Sequence, residues 1–183
     1  MERETTKSVN HQDIIIRNAM PSEFVEIGKL LVEVYSQLDG FPKANEQPAY
    51  YEMLANIGEF TKKPNSELLV AVSGDGKILG AVVFFSDMKY YGSGGIATKE
   101  ENAAGFRLLG VDSSGRGLGI GKGLTMECIR KAKEKKLSQV IIHSTESMQT
   151  ARKMYEQIGF KRSEDLDFMQ GNLRVFGFRF PLQ

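Results

Sequence analysis

The 183-residue chain is 41% hydrophobic, enough to bury the core of one domain. Its 24 basic and 23 acidic side chains leave a formal charge of +1, so no global field draws it to nucleic acid or to an anionic membrane. The lone cysteine, Cys128, excludes an intramolecular disulfide and suits a reducing cytoplasm, and the longest apolar run, Ile78 to Phe85, is far too short to cross a bilayer.

Residues 1 to 12 are polar and expected to be loose, and the opening MERETTKSVNHQD lacks the apolar stretch of a signal peptide. Asp13 to Asn18, with three successive isoleucines, signals a short strand. Pro21 and Ser22 introduce a helix through Gln37, with Phe24, Ile27, Leu30, Leu31 and Val34 on its apolar face. Beyond the turn Asp39-Gly40-Phe41-Pro42, a second helical stretch is expected over Gln47 to Phe60. Glu67 to Ser73 and Lys77 to Ser86 read as two strands joined by Gly74-Asp75-Gly76, a hairpin signal. A loop rich in Tyr, Gly and Ser, from Asp87 to Asn102, is placed to move on binding.

Ala103 to Val111 is the next strand, and a long helix is expected from Gly115 or Arg116 to Lys136. Gln139 to His143 reads as a strand and Ser147 to Ile158 as a helix. The chain then returns to strand from Phe160, and Asn172 to Phe180 is the last strand. No repeat or low-complexity linker divides residues 13–183, so one mixed α/β domain is expected.

The densest chemical signal is FRLLGVDSSGRGLGIGKGL, Phe106 to Leu124. A strand feeds a helix through a turn with glycine at 115, 117, 119, 121 and 123; Ile120, Leu124, Cys128 and Ala132 then share one face. Each glycine weakens a helix by roughly 1 kcal/mol relative to alanine, so helix stability does not explain five of them. Unpaired amides at a helix N-terminus suit a phosphate, and glycine lets the backbone approach it closely. A P-loop is excluded because Gly121-Lys122 is followed by Gly123 and Arg116 stands five positions before Gly121. A dinucleotide fingerprint is excluded because the glycines alternate strictly.

The pattern that fits is Arg116-Gly117-Leu118-Gly119-Ile120-Gly121, an instance of Q/R-x-x-G-x-G/A after a strand. Here the chain resembles the GNAT superfamily of acyl-CoA-dependent N-acyltransferases. A second segment, MQTARKMYEQIGFKR from Met148 to Arg162, resembles the family's helix-to-strand unit through Ala151, Tyr155, Glu156, Gly159 and Phe160. Gly159 is independently placed to end a helix and Phe160 to begin an apolar segment. The resemblance spans Ala103 to Phe180; the amino-terminal half agrees in element order.

The resemblance implies a mixed central sheet of about six to seven strands flanked by helices, in the order β-α-α-β-β-β-α-β-α-β-β. It implies acetyl transfer from acetyl-CoA to a primary amine of a small molecule, with no metal, by a monomer or homodimer. A peptide or protein acceptor and a non-catalytic CoA-binding sensor are the rival readings. Leu109, Gly110 and Val111 would grip the pantetheine arm where neighbouring strands splay, and Arg116, Gly117, Leu118, Gly119, Ile120, Gly121 and Lys122 would hold the pyrophosphate. Tyr155 would protonate the departing thiolate as general acid; the plainer reading is a core tyrosine with its hydroxyl bonded to backbone.

Two residues depart from the family pattern. Relatives often carry a glutamate base in or near the strand before the turn; this strand offers Arg107, with Glu100 and Glu101 only in the preceding loop. Arg107 is expected to be an ion-pair partner. His143 titrates near neutrality and is a candidate base, although strand-end histidines are commonly structural; a water relay is the alternative. Met148 stands where relatives have a cofactor-contacting asparagine and cannot donate that bond, so Ser144, Thr145 or Ser147 would replace it. Tyr35, Phe41, Tyr50, Tyr51, Tyr90 and Tyr91 suggest a partly apolar acceptor pocket, or simply helix packing. Cys128 is expected to be a buried structural thiol, and the run Arg130 to Lys136 a solvated helix end.

Overall fold

The structure, a computed structural model, describes residues 13–182; residues 1–12, expected to be loose, and Gln183 lie outside the described residues. The apolar runs form β1 (Ile15–Asn18), β2 (Ser66–Val72), β3 (Ile78–Phe85), β4 (Ala103–Val111), β5 (Gln139–Ser144), β6 (Lys161–Arg162), β7 (Phe168–Gln170) and β8 (Leu173–Pro181). The helices are α1 (Phe24–Ser36), α2 (Pro48–Ala55), α3 (Ile120–Glu134) and α4 (Gln149–Ile158). The sheet order is β1-β2-β3-β4-β5-β8-β6, with β7 paired to β8. All pairs are antiparallel except β4 with β5, whose parallel pairing requires a crossover that α3 supplies.

Helices cover both faces of the sheet, so β3 is buried along its whole length. Successive residues of β2 divide between the two cores: Leu68 and Val70 pack with Ile27, Leu31 and Leu54 under α1 and α2, Leu69 and Ala71 with Leu124 and Cys128 under α3. As the periodicity predicts, Ile120, Leu124, Cys128 and Ala132 are the buried face of α3, and burial pushes the Cys128 thiol well above its usual range. In the basic run, Arg130 pairs with Glu127 at 2.6 Å and Glu134 at 2.8 Å, and Lys131 with Glu67 at 3.2 Å. No helix among the described residues is long and apolar enough to cross a membrane.

Three boundaries differ from the sequence reading. Pro21–Glu23 forms a separate tight turn before α1, and α2 stops at Ala55, the rest of its expected span being the tighter helical turn Ile57–Lys62. Helix α3 begins at Ile120, not at Gly115 or Arg116, because Gly117 and Gly119 take φ of +77° and +74° and break the helical path. The sheet has eight strands, not six to seven, because the segment after Phe160 divides in two. Lys161 and Arg162 pair with Arg179 and Phe178; the chain then turns inward at Glu164–Leu166, and Phe168 pairs with Val175. Fully buried Leu166 drives that turn. It crosses the backbone at Gly177, where a Cβ would lie 2.2 Å from the Leu166 Cβ. Asp167 locks it by accepting from the Gly177 N–H at 2.8 Å and from Arg162 at 2.7 Å.

Candidate active site

Strands β4 and β5 pair only from Ala103–Gly105 to Gln139–Ile141, then part. On the other edge of β4 the register with β3 slips between Ala81 and Val83, and Leu108 sits at φ +62°, a bulge that bends the strand away from β5. A cleft of about 710 Å³ opens at this parting, bounded by α1, β4, the glycine turn, the end of β5 and α4. Leu109, Gly110 and Val111 line it, so the strand residues expected at the pantetheine arm face the opening.

One end of the cleft is the glycine turn. Asp112 caps a tight turn at Ser113–Gly115 by accepting from the Ser114 N–H at 3.0 Å. The positive φ of Gly117 and Gly119 then swings the chain into α3, and a Cβ at either would point into open space. The amides of Gly117, Gly119, Ile120, Gly121 and Lys122 find no acceptor among the described residues, so five donors gather at the positive end of a fifteen-residue helix. Arg116 and Lys122 flank them, exposed. Leu118 is the exception among the expected contacts. Its N–H already donates to the Gly115 carbonyl at 3.3 Å and its side chain packs against the α3 core.

Two polar atoms are buried in residues that line the cleft. Ser144 and Thr145, at the end of β5, are 0% and 4% exposed, and their hydroxyls have no hydrogen-bond partner among the described residues. Orphaned hydroxyls are costly unless a ligand completes them; with the five free amides they suit an extended phosphorylated cosubstrate. Met148 packs against the core and brings no donor. Tyr155, on α4, is buried with its ring edge-on to Phe106 and Phe160 at 5.8 and 5.7 Å. Tyr155 lines the cleft, and its hydroxyl makes no hydrogen bond among the described residues. Burial raises its pKa far above the ordinary phenol value, so it is protonated at neutral pH.

At the other end, side chains from distant elements converge. The Tyr91 and His143 rings lie 5.6 Å apart, tilted by 33°, and His143 also meets Phe168 edge-on at 5.1 Å. His143 Nε2 donates to the Leu166 carbonyl at 2.9 Å, which fixes the tautomer, so Nδ1 accepts the Tyr91 hydroxyl at 2.8 Å. Desolvation pushes the imidazole down to about 4, so the ring is neutral at neutral pH with both nitrogens engaged.

Arg107 corrects an expectation: it forms no ion pair among the described residues, and its Nη1 donates to the Tyr91 carbonyl at 2.9 Å instead. Glu100 pairs with Arg179 at 2.9 Å outside the cleft, and Glu101 is exposed. Tyr35, Phe41, Tyr50 and Tyr91 line the cleft; Tyr51 and Tyr90 do not. The segment 87–102, read as a loop, contains two tight helical turns that carry Tyr91 inward. The Tyr91–His143 partnership, fifty-two residues apart, had no signal in the sequence.

A model of the acetyltransferase (GNAT) family matches residues 31–160. The chain is 31% identical over 102 residues to N-acetylaspartate synthetase of Xenopus tropicalis, a match covering 56% of this chain and 33% of that protein, so the chain spans about a third of the length of this relative. Among solved structures, an acetyltransferase of the GNAT family from Staphylococcus aureus Mu50 superposes with a TM-score of 0.71 at 18% identity, covering 93% of this chain and 99% of that one. The paia N-acetyltransferase of Thermoplasma acidophilum, solved in complex with coenzyme A, superposes at 0.69 and 14% identity over 91% and 99%. These structures share the fold, and the family match takes in α2, the β4–β5 parting, the glycine turn and Tyr155. On that match the chain belongs to the acetyltransferase (GNAT) family.

Proposed function

We propose that residues 13–183 form one catalytic domain that transfers the acetyl group of acetyl-CoA to a primary amine of a small molecule, by direct attack in a ternary complex. The observation that carries the reading is the cleft at the β4–β5 parting, which joins an amide-lined anion cradle to an unpartnered Tyr155 hydroxyl and an aromatic chamber. The relatives' names point the same way: one synthesises N-acetylaspartate, and a structural neighbour holds coenzyme A. A cytoplasmic location, with reduced Cys128, goes with this reading.

Acetyl-CoA, when bound, supplies an acyl carbon open to attack and a thiolate as leaving group. The amides from Gly117 to Lys122 would hold its pyrophosphate at the N-terminus of α3. Ser144 and Thr145 hydroxyls would take up the donor role that Met148 cannot fill, and the edge of β4 at Leu109 to Val111 that β5 leaves unpaired would hold the arm, with the Leu109 carbonyl already accepting from the Tyr35 hydroxyl at 3.2 Å. Tyr155, neutral at working pH, would give its phenolic proton to the departing sulfur.

The base is not in β4, since Phe106 to Val111 holds no carboxylate or histidine. We assign His143 to holding Tyr91, because neither of its nitrogens is free, and proton removal from the amine to ordered water. The test is thiol release from acetyl-CoA with a panel of small amines and peptides, with product mass. Amine-dependent release is expected; tight CoA binding with no release for any acceptor would make the protein a sensor instead.

A further inference from the structure

Beside the aromatic chamber, the half-buried Arg107 lines the cleft. Its guanidinium lies 5.8 Å from the Tyr91 ring centroid and is anchored through Nη1 to the carbonyls of Tyr91 and Gly92 at 2.9 and 3.4 Å. Its Nε and Nη2 donors have no partner among the described residues. The groups around it are all neutral: Tyr35 and Tyr50 on one side, Tyr91 and His143 on the other, the phenols held protonated and the imidazole uncharged by burial. Among the described residues, the one carboxylate lining the cleft is Asp39, which is exposed on the segment after α1 and forms no ion pair with Arg107.

A guanidinium taken partly out of water costs free energy unless an anion meets it. Elsewhere in this chain arginines of similar exposure are paired: Arg17 with Glu23, Arg162 with Asp167, Arg179 with Glu100. Arg107 is instead anchored through Nη1 to backbone, which leaves the Nε–Nη2 edge of its fork without a partner among the described residues on a side chain that lines the cleft. That edge matches a carboxylate through two parallel N–H···O bonds. An acceptor carrying only ammonium groups would meet an unscreened cation there. We propose that Arg107 binds the carboxylate of the acceptor, so that the preferred substrates are amines bearing a carboxylate close to the amino group, of amino-acid type. The proposal rests on the acetyl-transfer reading.

The test compares acceptors that differ only at that group: glycine with glycinamide, phenylalanine with phenylalaninamide, and, as a purely cationic arm, a simple diamine. The amide's amine is the less basic and therefore more often unprotonated, so intrinsic reactivity runs against the expected preference. The carboxylate member should lead by at least tenfold in kcat/KM, about 1.4 kcal/mol. Arg107→Gln should collapse that ratio toward one, chiefly by raising KM for the carboxylate member. Arg107→Lys, which keeps the charge but loses the fork, should retain part of it. Circular dichroism and CoA affinity near the parent's values certify that both variants fold.

Neutral amides or the diamine used as well as the carboxylates, or a preference that survives in Arg107→Gln, would overturn the proposal while leaving acetyl transfer intact. Turnover of no acceptor at all, with CoA bound, would instead remove the acetyl-transfer reading, and this inference with it.

Discussion

At the glycine-turn end of the cleft, the surface offered to a ligand is backbone: five free amides from six consecutive residues, Gly117 to Lys122. At the acceptor end it is side chains from five separate pieces of chain, with Tyr35 on α1, Tyr91 in the segment before β4, Arg107 on β4, His143 on β5 and Phe168 on β7. A backbone cradle needs only the right turn, and it can hold any pyrophosphate. A chamber of side chains can discriminate between acceptors, because each wall is set by a different element and can change without unmaking the others. The tyrosine that would meet the sulfur sits between the two, held by its ring against Phe106 and Phe160 rather than by its hydroxyl.

The largest expected effect tests that middle position. Tyr155→Phe keeps the ring packing and removes the free hydroxyl, so turnover should fall by roughly 10²-fold with CoA affinity unchanged. Full turnover in steady-state assays would move Tyr155 to the core and leave the cleft as two ends with no acid between them. Next, Gly119→Val puts a branched side chain into the cradle and strains a left-handed residue. Calorimetry should show CoA affinity down at least tenfold, about 1.4 kcal/mol, and unchanged binding by the folded variant would break the backbone side of the comparison.

Ser144→Ala sharpens it further. On the proposed reading the orphaned hydroxyl is a cost to the ligand-free protein that bound CoA would relieve. Its removal should therefore leave the urea midpoint equal or higher while weakening CoA by about 0.5–1.5 kcal/mol. A fall in both would mean that the hydroxyl is already bonded without the ligand.

The smallest effect on rate is expected at His143. Its imidazole titrates at about 4 in the fold and near 6.5 in the unfolded chain. The unfolded state therefore binds the extra proton first as pH falls, and the stability His143 contributes is present above about 6.5 and lost on the way down to about 4. Urea midpoints measured across that window should fall more steeply for the parent than for His143→Gln. The ascending limb of kcat/KM should track the acceptor amine and survive in the variant; a limb near 6.5 that is shared by all acceptors and vanishes in His143→Gln would restore the histidine as base.

The legibility of the two ends in the sequence follows from how they are built. Alternating glycines between an apolar run and an amphipathic helix announce a strand–turn–helix anion site, and Tyr155, Gly159 and Phe160 share one short local pattern. The glycine turn, the helix end at Gly159 and the apolar face of α3 depend on neighbours a few residues away, so local pattern and periodicity determine them, while the place of Tyr155 was legible only through the family resemblance. Tertiary structure decided the rest. The start of α3 moved to Ile120 because two glycines took positive φ, and one expected strand became β6 and β7 because Leu166 dives over Gly177. The fold brought Tyr91 to one nitrogen of His143 and the Leu166 carbonyl to the other, and among the described residues it gave Arg107 a backbone carbonyl in place of a carboxylate. Partners that lie fifty-two and twenty-three residues away from His143 are chosen by the packing of whole elements, and no local pattern in the chain records them.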